Sequence, residues 1–363
     1  MRLIFVYTRQ DATTTPEHFM ADGLYHMFRR MVEEKIIDDV WVIIEQCGWW
    51  RKIELSENVF WAETTDIHFL PDGIIPDISG DAAIWVRGGF KPTVFYEWCR
   101  ACDFWLLFYG ANTGRERWPF WDIVLDDLSG ETRIDINPKS PHYKRLYLDY
   151  VKPINPDVFR PLGLERKYDV CIGASHITDK KGQWMAIDGI IECQKRFGRR
   201  LKCVMPGAIR RGVQTSGIEA KIKRHGLDVD RPGMVPREHL ARILNQSRLF
   251  LHCGGGQNDR SLSEAAACGC RIIFTRPDRH SPVIRSVGEV AVHHHDSVAL
   301  AIHTALSFMP AGNGYHEVLP GKYMERAGIE NVILPRMRAL FDFLRANPVA
   351  DRDLLTQLME DYP

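Results

Sequence analysis

No stretch of this chain holds the roughly 18 consecutive apolar residues that a bilayer-spanning helix needs, so no transmembrane segment is predicted. The N-terminus, MRLIFVYTRQD, sets one basic residue before a five-residue apolar run. That run is too short for the apolar core of a signal peptide and reads as a first β-strand, so a cytoplasmic protein is the default expectation. Low-complexity sequence is missing, and a composition 45% hydrophobic and 26% charged excludes a disordered chain. Metal-ligand spacing is also lacking. The nine cysteines are odd in number and scattered, and most read as buried free thiols. Cys99 and Cys102 form a CxxC, but inside an apparent helix with no second ligand pair. His293, His294 and His295 follow a strand-like VAV and read as a surface turn. No D-x-D is placed to hold a metal, and Asp126-Asp127 reads as a loop contact at a strand end.

Net charge is absent overall, with 47 basic against 47 acidic residues, yet the balance is uneven along the chain. Residues 1–150 carry 16 basic and 24 acidic residues, and the remainder 31 and 23. An acidic half joined to a basic half suggests two domains with different ligands, the basic one suited to an anion such as a nucleotide diphosphate. The length of 363 residues allows two cores of ordinary size.

Both halves alternate strands with helices. In the first, RLIFVY, DDVWVII, DAAIWV, FWLLFY and WDIVL are continuous apolar strands, with helices predicted over MADGLYHMFRRMVEE and PTVFYEWCRAC. From Tyr150 to Leu164 the texture becomes proline-rich and aperiodic, as in a linker. Then YDVCIG, LKCVMP, RLFLHC, CRIIFT and EVAVH alternate with GQWMAIDGIIECQKRF, GIEAKIKRHG, REHLARILNQ, SLSEAAACG and SVALAIHTALSF. Apolar strands with helical crossovers make parallel sheets covered on both faces. The predicted fold is α/β, with two Rossmann-like doubly wound domains facing across a cleft. A mostly helical tail follows, LPRMRALFDFLRAN being its clearest piece.

Ligands of open α/β sheets bind at the carboxyl ends of the strands. Two loops there stand out. GASHITDKKGQW follows YDVCIG: Gly173 permits a tight turn, and His176, Lys180 and Lys181 put positive charge beside a helix start, where backbone N–H groups favour an anion. HCGGGQNDRSLSEAAACGC brings three glycines before a helix that begins near Arg260 or Ser261. Glycines let backbone approach a ligand closely, and Glu264, one turn into that helix, is expected near the surface of a cleft to accept ribose hydroxyls.

These residues resemble the retaining family 4 of the GT-B glycosyltransferases. NPDVFRP (Asn155 to Pro161) matches that group's N-x-x-x-F-x-P. Gly173 and Lys181-Gly182 match its Gly and its K-G pair, and Gly233-Met234-Val235 its G-x-V. Leu262 to Gly269 match its L-x-E-A-x-A-C-G, so the likeness spans about residues 150–295. The resemblance implies transfer of a sugar from a nucleotide diphosphate sugar to a carbohydrate or other hydroxyl acceptor. Retention, no metal ion and no cofactor are implied with it. Lys181 would bind the donor diphosphate, Glu264 the ribose, and Asn258, Asp259, Arg260 and Ser261 the phosphates or sugar. Val235 would present backbone groups to the base. The organisation implied is an acceptor domain over residues 1–150 and a donor domain over 151–310. A tail over 311–363 would cross back to the first domain.

Two positions depart from that pattern. Gly256 stands where the group has its first Glu, leaving Gln257 to grip the donor sugar. Ala174 and Ser175 follow Gly173 where an Arg is common, leaving the charge to His176 or a nearby Arg. In the first half, Arg87 and Asn112 follow predicted strands and are the candidate acceptor-side groups, with Trp49, Trp50 and Trp118 able to stack on sugar rings or bases. Transfer to a nucleic-acid base is the competing enzymatic reading, and the acidic first half disfavours a nucleic acid. A non-catalytic nucleotide-sugar binder is the other, motivated by Gly256.

Overall fold

The structure, a computed structural model, describes residues 1–9, 22–46, 67–71, 82–87, 104–109, 123–126, 133–136, 144–149, 152–173, 176–177, 182–209, 216–254, 260–277, 282–290, 293–308 and 314–346, with Phe19 and Cys102. Two compact units divide the chain. One comprises residues 1–153 and 329–363, the other 154–328.

The first unit is built on an eight-stranded sheet. Its strands are β1 (Arg2–Arg9), β2 (Asp39–Gln46), β3 (Ile67–Pro71), β4 (Ala82–Arg87), β5 (Phe104–Tyr109), β6 (Ile123–Asp126), β7 (Arg133–Ile136) and β8 (Lys144–Asp149). They lie in the order β3-β2-β1-β4-β5-β6-β8-β7, with only β7 antiparallel to its neighbour. Leu3, Ile4 and Phe5 are all fully buried on β1, as expected where both faces of a parallel sheet are covered. Helix α1 (Gly23–Glu33) starts where Asp22 accepts the Leu24 N–H at 3.0 Å. Its Phe28 meets Phe5 edge-on, with ring centroids 4.9 Å apart. β3, β7 and β8 carry too little continuous apolar sequence to be read in advance, and β7 and β8 are rich in charge. The helix predicted over PTVFYEWCRAC lies outside the described residues, apart from Cys102.

The second unit has a six-stranded, wholly parallel sheet: β9 (Tyr168–Ile172), β11 (Lys202–Pro206), β13 (Asp228–Gly233), β14 (Ser247–His252), β15 (Arg271–Phe274) and β16 (Gly288–Val290), in the order β13-β11-β9-β14-β15-β16. The short β10 (His176–Ile177) and β12 (Ala208–Ile209) pair separately. Helices α2 (Gln183–Phe197), α3 (Ser216–Arg224) and α7 (His295–Ser307) pack on Val170, Ile172, Cys203, Met205, Leu249, Leu251 and Ile273. The alternate residues Cys171, Phe250, Ile272 and Phe274 are equally buried on the opposite face. The remaining helices are α4 (Arg237–Asn245), α5 (Arg260–Ala267), α6 (Pro282–Val287) and α8 (Gly314–Ala327). The unforeseen strand is β13, DVDRPG. It lies at a sheet edge with mostly exposed side chains, which relieves it of the need to be apolar.

The entry to this unit explains the N-x-x-x-F-x-P stretch. Asn155 accepts the Asp157 N–H at 3.0 Å to form a local turn, and Phe159 is buried to 1% exposure. Asn245 then holds the outgoing chain, accepting from Leu162 N at 2.7 Å and donating to Arg160 O at 2.9 Å. At the far end, α8 belongs to the second unit, and a π-helical turn over Ile329–Ile333 leads into α9 (Leu334–Ala346) of the first. Helix α9 buries Leu340, Phe341 and Leu344, and Arg338 reaches both the carbonyl and the carboxylate of Glu34 at 3.1 Å. Arg30 of α1 forks onto Glu330 at 2.8 and 3.1 Å. Among the described residues no helix is long and apolar enough to cross a membrane.

Candidate functional site

The order of the six-stranded sheet reverses between β9 and β14. From β9 the chain winds outward through β11 to β13, then returns to the other side of β9 as β14 and continues to β16. All the strands are parallel, so their carboxyl ends share one edge. Open α/β sheets hold ligands at such a reversal, beside the two loops that flank it. They are the loops that begin at Gly173 and at Cys253.

Glycines at the start and end of the first loop pack closely on β14 and on the segment that follows it. Gly173 donates its N–H to Leu251 O at 3.0 Å. A Cβ at Gly173 would fall 2.1 Å from Cζ of Phe250, so the residue is glycine because an aromatic ring occupies the side-chain space. Its φ is not positive, so close packing rather than a left-handed backbone accounts for the glycine. Gly182 caps α2 in the left-handed region, φ +75°, and its Cβ would lie 2.2 Å from the carbonyl carbon of Cys253 and 2.4 Å from Gly254 N. Both contacts are with backbone, which cannot swing aside. Gly182 is therefore seated against the start of the glycine-rich segment. Helix α5 begins shortly beyond it at Arg260, and helix N-termini carry the N–H groups and dipole that suit an anion.

Glu264 does not stand at the surface. It is 5% exposed, and its Oε1 accepts a hydrogen bond from Arg237 Nη1 at 2.9 Å. Arg237 is the first residue of α4, two positions after Val235, so the ion pair ties the loop after β13 to the helix behind the glycine-rich segment. The pairing joins residues 27 apart in the chain and is not visible in the sequence. Tyr323 of α8 was likewise unforeseen. It is completely buried, its hydroxyl is turned toward Ser263 but short of hydrogen-bond geometry, and Glu264 and Arg260 act on it electrostatically. Burial pushes that phenol well above its usual range.

The adjoining strand ends add a second polar group. His252 is fully buried and its carbonyl accepts the Thr275 N–H at 3.1 Å. Thr275 Oγ1 meets His293 Nδ1 at 2.8 Å, and burial holds that imidazole below its ordinary value, with Arg276 adding to the shift. Arg276 itself has a positive φ of 61°, uncommon for a residue with a side chain. His294, His295 and Asp296 are the one group among the described residues whose ligand atoms could converge on a metal, lying within 4.8 Å of one another on a largely exposed helix start.

Of the residues singled out from sequence, Gly173, Val235, Arg260, Ser261 and Glu264 fall on this edge or on the elements leading from it. His176 opens β10 and Arg87 ends β4. Lys181, Gly256, Gln257, Asn258, Asp259 and Asn112 lie outside the described residues, as do Trp49, Trp50 and Trp118.

No protein-family model matches the chain, and no curated protein matches it. Solved structures do. HepE of Anabaena, in complex with UDP and glucose, is 11% identical, with 95% of this chain and 100% of that one covered at a TM-score of 0.62. Trehalose-6-phosphate synthase OtsA is 12% identical, with 95% and 99% covered and a TM-score of 0.65. A glycosyltransferase from Rickettsia africae is 13% identical, with 95% and 99% covered and a TM-score of 0.63. The fold is that of the GT-B glycosyltransferases. Likeness at such low identity extends to the fold alone, and the chemistry has to be argued from this chain's own residues.

Proposed function

We propose that this chain is a glycosyltransferase that moves a sugar from a nucleotide diphosphate sugar to an acceptor hydroxyl, with retention and without a metal ion. The observation that carries the reading is the seat of Gly182 on the Cys253–Gly254 backbone, which joins two glycine-bearing loops at the strand-order reversal. In the reaction the bond from the anomeric carbon to the donor phosphate breaks, and a bond to the acceptor oxygen forms on the same face. The acceptor proton passes to the departing diphosphate. Negative charge builds on that phosphate in an oxocarbenium-like transition state, so the required help is a cationic, N–H-rich cradle. Lys181, Arg260 and the first turn of α5 supply it. Glu264 takes the ribose hydroxyls, Val235 offers its backbone to the base, and Gln257 grips the donor sugar in the absence of a Glu at position 256. Arg87 and Asn112 serve the acceptor in the first unit, whose acidic charge disfavours a nucleic acid there.

UDP is bound by HepE, which makes it the first nucleotide to try. Calorimetry of the whole chain with UDP, GDP and ADP is expected to find one that binds, and the matching sugar nucleotide should be consumed with the anomeric configuration kept, followed by NMR. Absence of binding by all three refutes the reading. Gly256 favours a second reading, that of a nucleotide-sugar binder without turnover. Nucleotide affinity with neither transfer nor donor hydrolysis would select it.

A further inference from the structure

A wholly buried tyrosine hydroxyl is ordinarily hydrogen-bonded, because leaving one unmade costs roughly 1–3 kcal/mol. Tyr323 breaks that rule, with its ring at 0% exposure and its hydroxyl short of any partner. A phenylalanine would fill the same space without the cost. The hydroxyl points at Ser263, the neighbour of Glu264, and α8 packs against α5 along this contact. Glu264 meanwhile gives Oε1 to Arg237. A carboxylate offers about four acceptor sites, so Glu264 can take a further donor as it engages the ribose. Tyr323 brings a hydroxyl to this turn of α5 from another helix.

We propose that Tyr323 is a positioning residue for nucleotide binding: its hydroxyl, buried against Ser263 and beside Glu264, completes its hydrogen bonding only when Glu264 engages the ribose. The inference rests on the reading of Glu264 as the ribose acceptor. It makes the last helix of the second unit part of the nucleotide site, although Tyr323 itself touches no ligand.

The test is Tyr323→Phe, with UDP and 2′,3′-dideoxy-UDP as probes, measured by calorimetry alongside thermal unfolding without ligand. Unliganded Tm should hold or rise, because the variant discards an unmet polar group. Affinity for UDP should fall about tenfold while affinity for the dideoxy analogue stays unchanged, since only the former uses Glu264. Equal losses for the two nucleotides, or no loss for either, would overturn the inference. So would a large fall in unliganded Tm, which would make the hydroxyl structural. Ser263→Ala, which keeps the tyrosine ring, should show the same ribose-selective loss at smaller size, and its absence counts against the proposal. Failure of the underlying reading looks different: the unaltered protein would bind both nucleotides equally, and Glu264→Gln would change neither.

Discussion

Removing the Glu264 carboxylate should cost stability as well as nucleotide affinity. Had the residue stood at the surface, Glu264→Ala would have been nearly silent without ligand. The side chain is instead 6% exposed, and its partner Arg237 is 25% exposed. Breaking a buried pair by deleting one member costs about 3–5 kcal/mol, because a charge is left without its counterpart. Arg237 recovers part of its hydration here, so the expected loss is smaller, about 2 kcal/mol. For a unit of this size each kcal/mol moves Tm by about 2–4 °C, giving a fall of roughly 4–8 °C. Calorimetric unfolding of the full chain is the assay, with Arg237→Met, Glu264→Met and the double variant completing a cycle. The double variant should be more stable than Glu264→Met alone, with a coupling above about 1 kcal/mol. A Tm within 1 °C of the unaltered protein in Glu264→Ala, or additive effects in the cycle, would refute the pairing as a source of stability.

Three other outcomes follow from the same geometry. Gly173→Ala should destabilise by about 1–3 kcal/mol through overpacking on Phe250, and Phe250→Leu in the same chain should recover part of that loss by thermal unfolding. Thiol titration of the native protein at pH 8 should find no more than two fast cysteines. Cys102, Cys171, Cys193, Cys203, Cys253, Cys268 and Cys270 are buried, burial pushing Cys193 up to about 11 and Cys270 to about 12. These thiolates become available only above such values, so labelling should quicken on denaturation or at strongly alkaline pH. Transfer activity should survive EDTA, and complete loss restored by Mg²⁺ or Mn²⁺ would overturn the metal-free mechanism.

The second unit was legible because its signals are local. Five apolar strands with helices between them declare a doubly wound sheet, and Gly173, Gly182 and Gly254 mark the loops beside its central strands. Glycine at Gly182 is demanded twice, by a φ of +75° and by the Cys253 backbone. Sequence shows the residue but not the second demand, since the contact joins residues 71 positions apart. Strands β7, β8 and β13 escaped notice for a related reason. β7 and β13 sit at sheet edges, so hydrogen bonding holds them without an apolar pattern. β8 is placed by β6 and β7 on its two sides rather than by any run of its own.

What the sequence determined by itself was therefore the fold class, the strands that form both sheet centres, and the glycine-bearing loops at their carboxyl ends. Periodicity and glycine placement are properties of a few consecutive residues and survive without a partner. What only the tertiary structure decided was the state of the side chains: that Glu264 is sheltered by Arg237, that Phe250 excludes a side chain at position 173, and that Tyr323 lies buried near Ser263 and Glu264. Burial and pairing depend on which distant segments the sheet order brings together, and that order reverses between β9 and β14, where the chain leaves one side of the sheet and returns on the other.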